Sequence, residues 1–147
     1  MEVIMQIDHC INFLLTKAQL NVLQFFKYKL RDYNVTPVQY AILACLWQQD
    51  GQSPSQIAQR LQIDNSTITG VLDRIEQKGL LKRTPVPCDR RALNVVLTEE
   101  GAALRKPLER IIEEANAEVL KDFTEEEQKT LKTMLVKLGK GDFINKK

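Results

Sequence analysis

Small polar side chains mark the start of one predicted helix, which runs from about Asn65 to Lys78. Its apolar residues recur on one side, and the opposite side presents Ser66, Thr67, Thr69, Gly70, Asp73, Arg74 and Gln77. Serine and threonine hydroxyls can donate or accept hydrogen bonds at base edges, and a threonine methyl can contact a thymine methyl. Because recognition helices enter the major groove by their N-terminal turn, this pattern predicts a DNA-contacting helix. A solvated polar face is the simpler alternative.

Gly70 lies in the middle of the same predicted helix. Glycine in a helix interior costs about 1 kcal/mol relative to alanine. Close approach of the helix to a phosphate backbone is one reason to accept that cost, and an incidental glycine is the alternative.

A charged tripeptide, Asp89-Arg90-Arg91, lies between two predicted strands. An arginine at a hairpin tip can enter the minor groove, where narrow A·T tracts concentrate negative potential. A neighbouring carboxylate can orient a guanidinium through a bidentate pair. The tripeptide therefore predicts a hairpin that contacts DNA, unless its charge only keeps the hairpin soluble.

The distribution of charge agrees with this location. The net charge is only +2, but residues 60–91 hold seven basic and four acidic side chains, the largest basic excess in the chain. For a nucleic-acid-binding protein the position of the charge matters more than its sum.

The sequence lacks the residues that several other classes of protein require. The 147 residues include one histidine, His9, and three widely spaced cysteines, Cys10, Cys45 and Cys88, with no CxxC pattern. This set predicts neither a disulfide framework nor a zinc site, and it suits the reducing cytoplasm. No Ser-His-Asp set, acid–base pair or phosphate loop is visible, so we expect no enzyme, no metal and no cofactor. No apolar run approaches the roughly 18–20 residues of a membrane span.

Two capping patterns predict the helices that precede the polar helix. Thr36-Pro37-Val38-Gln39 and Ser53-Pro54-Ser55-Gln56 each combine an N-cap residue, a proline at the first helical position and a glutamine at the third. Asp64 is a further N-cap candidate, and Gly79 is expected to end the polar helix. Helix N-termini attract anions, so Ser55 and Gln56 are candidate donors to phosphate.

The hairpin after Gly79 is predicted from two strands, residues 80–84 and 93–97. Residues 85–89 include Pro85 and Pro87, which cannot pair regularly because proline donates no ladder hydrogen bond. Pro107 lies inside a later helical pattern and should kink that helix or mark its true start.

Both ends of the chain predict long amphipathic helices. The first, near 28 residues, carries apolar side chains at mostly three- and four-residue steps from Ile4 to Phe26. The last helices follow Thr98 and Thr124, each with an N-cap pattern. A partner surface is one explanation for a first helix longer than a small core needs.

Residues 65–83 and 89–101 carry a resemblance to a known family. The chain has N-S-T-I-T-G-V-L-D-R-I-E-Q-K-G-L-L-K-R, then D-R-R-A-L-N-V-V-L-T-E-E-G. This resembles the multiple antibiotic resistance regulator (MarR) family of bacterial transcription factors, whose helix order fits nearly the whole chain. The resemblance implies a mainly α fold with a small β-hairpin, a winged helix-turn-helix at residues 36–97 and dimerisation helices at residues 1–35 and 98–147, all in one domain.

The same resemblance implies a homodimer on a pseudo-palindromic operator in double-stranded DNA. It places Ser66, Thr67, Thr69 and Arg74 on the recognition helix, with Asn65 at its start, and Arg90 and Arg91 on the wing. It places Asp73 and Asp89 where they brace wing arginines.

Family members respond to a small aromatic ligand, a metal or an oxidant. Cys10 near Tyr40 is similar to the branch that senses organic hydroperoxides, although Ile11 and Asn12 separate Cys10 from the following Phe13-Leu14-Leu15 run. A lone helix cysteine is more often a small buried hydrophobe, which is the alternative for Cys10. We expect a transcriptional repressor, and a winged-helix protein-interaction module without DNA binding is the alternative.

Overall fold

The computed structural model describes residues 6–145, and Arg90 is described by its backbone alone. The elements are α1 (Ile11–Leu30), α2 (Pro37–Gln48), α3 (Pro54–Leu61), α4 (Asn65–Gln77), β1 (Leu81–Val86), β2 (Asp89–Leu97), α5 (Glu99–Ala103), α6 (Arg105–Val119) and α7 (Glu125–Gly139). This confirms a mainly helical fold with one antiparallel hairpin. Within residues 6–145, no helix is long and apolar enough to cross a membrane.

The first helix is shorter than predicted. Helix α1 has 20 residues, and a separate 3-10 turn, Ile7–His9, precedes it. Cys10 between them is extended, with φ −74° and ψ 123°. Periodicity cannot detect this break, because a 3-10 turn followed by a single extended residue leaves the apolar spacing almost unchanged.

Three predicted capping boxes are present. The side chains of Thr36, Ser53 and Thr124 each accept a hydrogen bond from the backbone N–H three residues later, and the third residue's side chain accepts one in return. Asp64 is the N-cap residue of α4, as predicted, although its side chain makes no capping hydrogen bond. Gly79 adopts φ +76° after α4, as expected of a residue that ends a helix.

The hairpin extends further toward its tip than predicted. Pairing continues through Pro85 opposite Leu93 and Val86 opposite Asp89, with a register shift between Pro85 and Val86. In the edge strand β1 a proline removes a donor without breaking a sheet interior, so pairing survives. The irregular strand pairing that was predicted from Pro85 and Pro87 is therefore limited to one register shift, between Pro85 and Val86.

The connection between α2 and α3 holds the base of the hairpin. Gln52 forms an isolated antiparallel bridge with Val95. Asp50 Oδ1 accepts a hydrogen bond from the Leu97 N–H at 2.9 Å. The hairpin is thereby joined to the helical core at its base and extends away from it at its tip.

Two compact units divide the chain, one up to Ile112 and one from Glu113 onward. The core of the first unit unites α2, α3, α4 and the hairpin base, with the fully buried residues Ile42, Leu43, Leu46, Ile57, Ile68, Leu72, Ile75, Leu81 and Val95. In the second unit, α7 exposes a series of apolar side chains, namely Met134, Leu135, Val136 and Leu138.

The helix that follows the hairpin is interrupted, as Pro107 predicted. Helix α5 ends at Ala103, and α6 starts at Arg105, so that Pro107 lies in the first turn of α6. In this turn the missing N–H of proline costs no helical hydrogen bond. Trp47 ties the interrupted segment to α2, because its Nε1 donates to the Gly101 carbonyl at 3.0 Å.

Gly101 is required by the close approach of α5 to Leu80. A Cβ at residue 101 would lie 1.9 Å from the Leu80 backbone oxygen. We expect Gly101→Ala to lower the free energy of unfolding by about 1–3 kcal/mol or more, as overpacking does. Chemical denaturation measures this. Gly139→Ala is the control, since its Cβ meets nothing within 4 Å, and equal effects of the two substitutions would contradict the packing account.

Candidate nucleic-acid interface

Helix α4 separates an apolar face from a polar one. Ile68, Leu72 and Ile75 are at most 1% exposed, which holds this face in the core. The opposite face is exposed at Asn65, Ser66, Thr67, Thr69 and Gly70. The hydroxyl-rich N-terminal turn of α4 is therefore available to a ligand, as a helix that enters a major groove requires.

Gly70 has no steric role within the described chain. A Cβ built on it would meet nothing within 4 Å, and its φ is not positive. Neither backbone conformation nor internal packing explains the glycine. A partner that approaches this helix closely remains an explanation consistent with the sequence prediction.

Arg83 of β1 joins the hairpin to α4. Its Nη2 donates to Asp73 Oδ1 and also to Glu76 Oε2, the latter at 3.0 Å. The Arg83 backbone N–H donates to Glu76 Oε1 at 3.0 Å, so Glu76 receives both the side chain and the backbone of Arg83. These contacts fix the direction in which the hairpin leaves the helix.

The same contacts shift the pKa values of Glu76 and Arg83. The hydrogen bonds from Arg83 hold the pKa of Glu76 below its ordinary value. In return, hydrogen bonds to Glu76 and Asp73 raise the pKa of Arg83. Both shifts favour the charged forms of Glu76 and Arg83, and with Asp73 these residues form an ion-pair network that links α4 to β1.

Sequence reasoning missed Glu76 and Arg83. Both stand in the L-D-R-I-E-Q-K-G-L-L-K-R segment, and their spacing across a helix end and into a strand was a usable signal. Asp73, expected to brace an arginine of the wing, contacts Arg83 in the first strand. Asp89 instead accepts a hydrogen bond at Oδ1 from the Arg91 backbone N–H at 3.0 Å, at the start of β2.

The hairpin tip carries exposed charge. Arg91 and Asp89 are exposed, and so is Cys88 beside them. The side chain of Arg90 lies outside the described part of the structure. Because the tip is the part of the hairpin furthest from the core, its cation can meet a partner without losing an internal contact.

The other proposed phosphate donors lie at the start of α3. Ser55 and Gln56 are both exposed. Gln56 is already engaged in the capping box, where its Oε1 accepts from the Ser53 N–H at 2.9 Å. Ser55 is outside that box, at the second position of the helix, where backbone N–H groups point outward.

Arg74 faces a concavity between α1, the start of α2 and α4. This cavity of about 390 Å³ is lined by Leu23, Lys27, Thr36, Pro37, Val38, Gln39, Val71 and Arg74. Its lining is mainly apolar with two cationic side chains, Lys27 and Arg74. Such a lining suits a small, largely apolar molecule that carries a negative group.

The two residues considered for redox sensing have different surroundings. Cys10 is half-buried and serves as the N-cap residue of α1. The Tyr40 ring packs edge-on against Trp47, with ring centroids 5.9 Å apart. Burial, with the negative charge of Glu109, raises the pKa of Tyr40. Burial likewise raises the pKa of the core thiol Cys45, while Arg60 opposes the shift.

A helix-turn-helix made by α3 and α4, followed directly by a two-stranded wing anchored to α4, defines a winged helix-turn-helix protein. Comparison with known proteins makes the class more specific. The sequence profile of the MarR family matches residues 35–93. The transcriptional regulator PecS of Dickeya dadantii is 41% identical over 122 residues, 79% of this chain and 69% of PecS.

Two further comparisons agree. The organic hydroperoxide resistance transcriptional regulator of Bacillus subtilis is 31% identical over 102 residues, 69% of this chain and 69% of the regulator. The structure of the S. aureus MepR–DNA complex matches with a TM-score of 0.81 and 28% identity, over 88% of this chain and 96% of MepR. The chain belongs to the MarR family of transcriptional regulators.

The Glu76–Arg83 pair makes the stability of the wing dependent on pH. Because the pKa of Glu76 is lowered in the folded state, its contribution is present above the ordinary value of 4.5 and is lost as pH falls through the folded value. We expect Glu76→Gln to lower the melting temperature at pH 7 and the difference to shrink below about pH 4.5. Thermal unfolding between pH 3 and 7, with the exposed Glu113→Gln as control, measures this. A constant difference over that range would contradict the assignment.

Proposed function

We propose that this protein is a sequence-specific DNA-binding transcriptional regulator, a homodimeric repressor that leaves a pseudo-palindromic operator when a small aromatic ligand or an oxidant arrives. The observation that carries the proposal is the exposed hydroxyl-rich turn of α4, held beside the wing by Arg83. An exposed polar helix alone is common on protein surfaces. A helix of this kind joined by an ion-pair network to a basic hairpin supports major-groove and minor-groove contacts made together.

Within the proposal, Ser66, Thr67 and Thr69 contact base edges, and Arg90 and Arg91 enter the minor groove. Asn65 and Arg74 belong to the same recognition helix, and Ser55 and Gln56 contact phosphate. Relatives named as transcriptional regulators support a non-enzymatic role without a cofactor, in the cytoplasm where the chromosome lies.

Two copies of the chain are proposed to associate through residues 1–35 and 98–147, which flank the winged helix-turn-helix at 36–97. In α1, the side chains of Ile11, Leu14 and Leu20 are 61%, 45% and 53% exposed. In α7, Met134 and Leu135 are 63% and 47% exposed. Exposed apolar side chains on each of these terminal helices support burial against a second copy, because water contact with them is unfavourable.

Two release signals fit different observations. The concavity that contains Lys27 and Arg74 supports a small aromatic ligand with an anionic group, which would engage an arginine of the recognition helix. The half-buried thiol of Cys10 and the similarity to the B. subtilis organic hydroperoxide regulator support an oxidant. Within the oxidant route, Tyr40 is the tyrosine proposed to act with the Cys10 thiol.

Fluorescence anisotropy with DNA from upstream of the protein's own gene tests the main proposal. We expect tight binding that weakens steeply with salt, because neutralised phosphates release counterions. Peroxide that abolishes binding of the wild type but not of Cys10→Ser would identify the oxidant route. DNA binding that is unchanged by peroxide would point to a small aromatic acid as the release signal. Absence of specific binding at every salt concentration would favour the protein-interaction module.

Substitutions in the helix and the wing should separate base recognition from charge. We expect Thr67→Ala to reduce discrimination at one base pair by about 1–3 kcal/mol and leave nonspecific binding unchanged. Arg91→Ala should instead weaken binding to all sequences and lower the salt slope by about 1. Competition anisotropy with single-base operator variants measures both effects. Equal losses on all sequences for both variants would remove Thr67 from the base contacts.

The proposed dimer depends on the apolar face of α7. We expect Leu135→Asp to abolish the dimer in analytical ultracentrifugation, because the substitution places a charge where apolar side chains would be buried. Val38→Asp is the control, since Val38 is 40% exposed and lies outside the proposed dimerisation helices. A wild type that sediments as a stable, soluble monomer would contradict the dimer.

A further inference from the structure

Lys78 connects the C-terminal end of α4 to the turn between α1 and α2. Its ammonium donates to the Asn34 carbonyl oxygen at 2.6 Å and to Gln39 Oε1 at 2.7 Å. We infer that Lys78 is a positioning residue, which sets the angle of α4 relative to α1 and α2 and thereby the fit of its N-terminal turn to a base edge. This inference rests on the proposed DNA-binding function.

Gln39 is the buried acceptor in the Lys78 contact. It is 4% exposed and is the one buried polar side chain among the described residues. Its Oε1 also accepts the Thr36 backbone N–H at 3.2 Å, which completes the capping box of α2. The Lys78 ammonium supplies the second hydrogen bond, and a charged donor makes that bond stronger than a neutral one would.

Asn34 gives the contact its second anchor. It adopts the left-handed conformation, with φ 52° and ψ 41°, at the end of the Arg31–Tyr33 turn that follows α1. Such a conformation persists where the surroundings fix it. Because one ammonium binds the Asn34 carbonyl and the Gln39 side chain, it holds the end of α1, the start of α2 and the end of α4 together.

The geometry of a helix converts this contact into an effect at the DNA-facing end. Thr67 precedes Lys78 by eleven residues, which at about 1.5 Å per residue places it roughly 16 Å along the axis of α4. A tilt of about 4° at the Lys78 end therefore moves Thr67 by about 1 Å. A hydrogen bond to a base edge does not tolerate a displacement of that size, because the useful range of donor–acceptor distances is only about 0.5 Å.

The Arg83 network holds α4 from another side. Arg83 contacts Asp73 and Glu76 from the hairpin, whereas Lys78 reaches the α1–α2 turn. The hairpin base is in turn held by Gln52 and Asp50 of the α2–α3 connection, so these contacts do not reach the α1–α2 turn. Lys78 adds a polar contact between the end of α4 and that turn, beside the helix proposed for dimerisation.

The test compares Lys78→Met with Gln48→Met and with the conservative Lys78→Arg. Gln48 is exposed at the end of α2, outside the proposed DNA contacts and dimerisation helices. We expect Lys78→Met to weaken specific binding by about tenfold, within the range for couplings of this kind, while the salt slope is unchanged because Lys78 neutralises no phosphate. Gln48→Met should leave affinity unchanged, and Lys78→Arg should restore most of it. Circular dichroism at the assay temperature verifies that each variant is folded.

A salt slope reduced by about 1 would show that Lys78 contacts phosphate directly and would overturn the inference. Unchanged affinity in folded Lys78→Met would overturn it as well. If Lys78→Met does not fold, Gln39→Glu serves in its place. The new carboxylate still accepts the capping hydrogen bond and also pairs with Lys78. We therefore expect Gln39→Glu to raise the melting temperature of the wild type and to lower the melting temperature of the Lys78→Gln variant. The same sign in both backgrounds would also overturn the inference.

Amide hydrogen exchange distinguishes this inference from the DNA-binding proposal. If the wild type shows no specific DNA binding, the DNA-binding proposal fails. Hydrogen exchange still decides, independently of DNA, whether Lys78 holds the α1–α2 turn and the end of α4 together. We expect faster exchange in Lys78→Met at residues 31–36 and at the end of α4, with α3 unchanged. Exchange unchanged in both segments would show that the contact holds nothing in place.

Discussion

The rest of the structure depends on burial of one face of α4. Ile68, Leu72 and Ile75 are almost completely removed from water and contribute to a core shared with α2, α3 and the hairpin base. With this face committed to the core, the helix has no rotational freedom, and Ser66, Thr67 and Gly70 must face outward. The apolar stripe therefore defines the polar surface as firmly as the polar residues do.

The orientation of α4 has two components, its rotation about the helix axis and its tilt relative to the neighbouring helices. The buried stripe restrains rotation, whereas polar contacts at the C-terminal half of α4 restrain tilt. Arg83 ties the hairpin to the helix through Asp73 and Glu76, and Lys78 ties the helix to the α1–α2 turn. Both contacts lie away from the N-terminal turn, so they restrain that turn without occupying the surface it presents.

The basic charge of the protein is concentrated in one segment of the chain. The net charge is +2, yet the basic excess lies in the segment that contains α4 and the hairpin. Within that segment Arg83 and Lys78 are engaged in internal contacts, and Arg91 at the tip is exposed. A local field of this kind can attract a polyanion without a strongly basic protein, because screening limits each charge to about 10 Å.

The amino-acid sequence by itself determined the helix boundaries that rest on local chemistry. The capping boxes at Thr36, Ser53 and Thr124, the glycine that ends α4 and the interruption near Pro107 involve residues within one turn of each other. Sequence also determined the family, through the segment around α4 and the wing. The break at Cys10 and the true extent of the hairpin were not predicted, since neither changes the periodicity of apolar residues.

Only the tertiary structure decided which side chains meet across elements. It paired Asp73 with Arg83, gave Glu76 a role and joined Lys78 to Asn34, a residue 44 positions earlier in the chain. Sequence periodicity assigns a residue to a face of its own helix but carries no distance to another helix. Long-range contacts such as these follow from how the apolar faces pack, and that packing exists only in the folded chain.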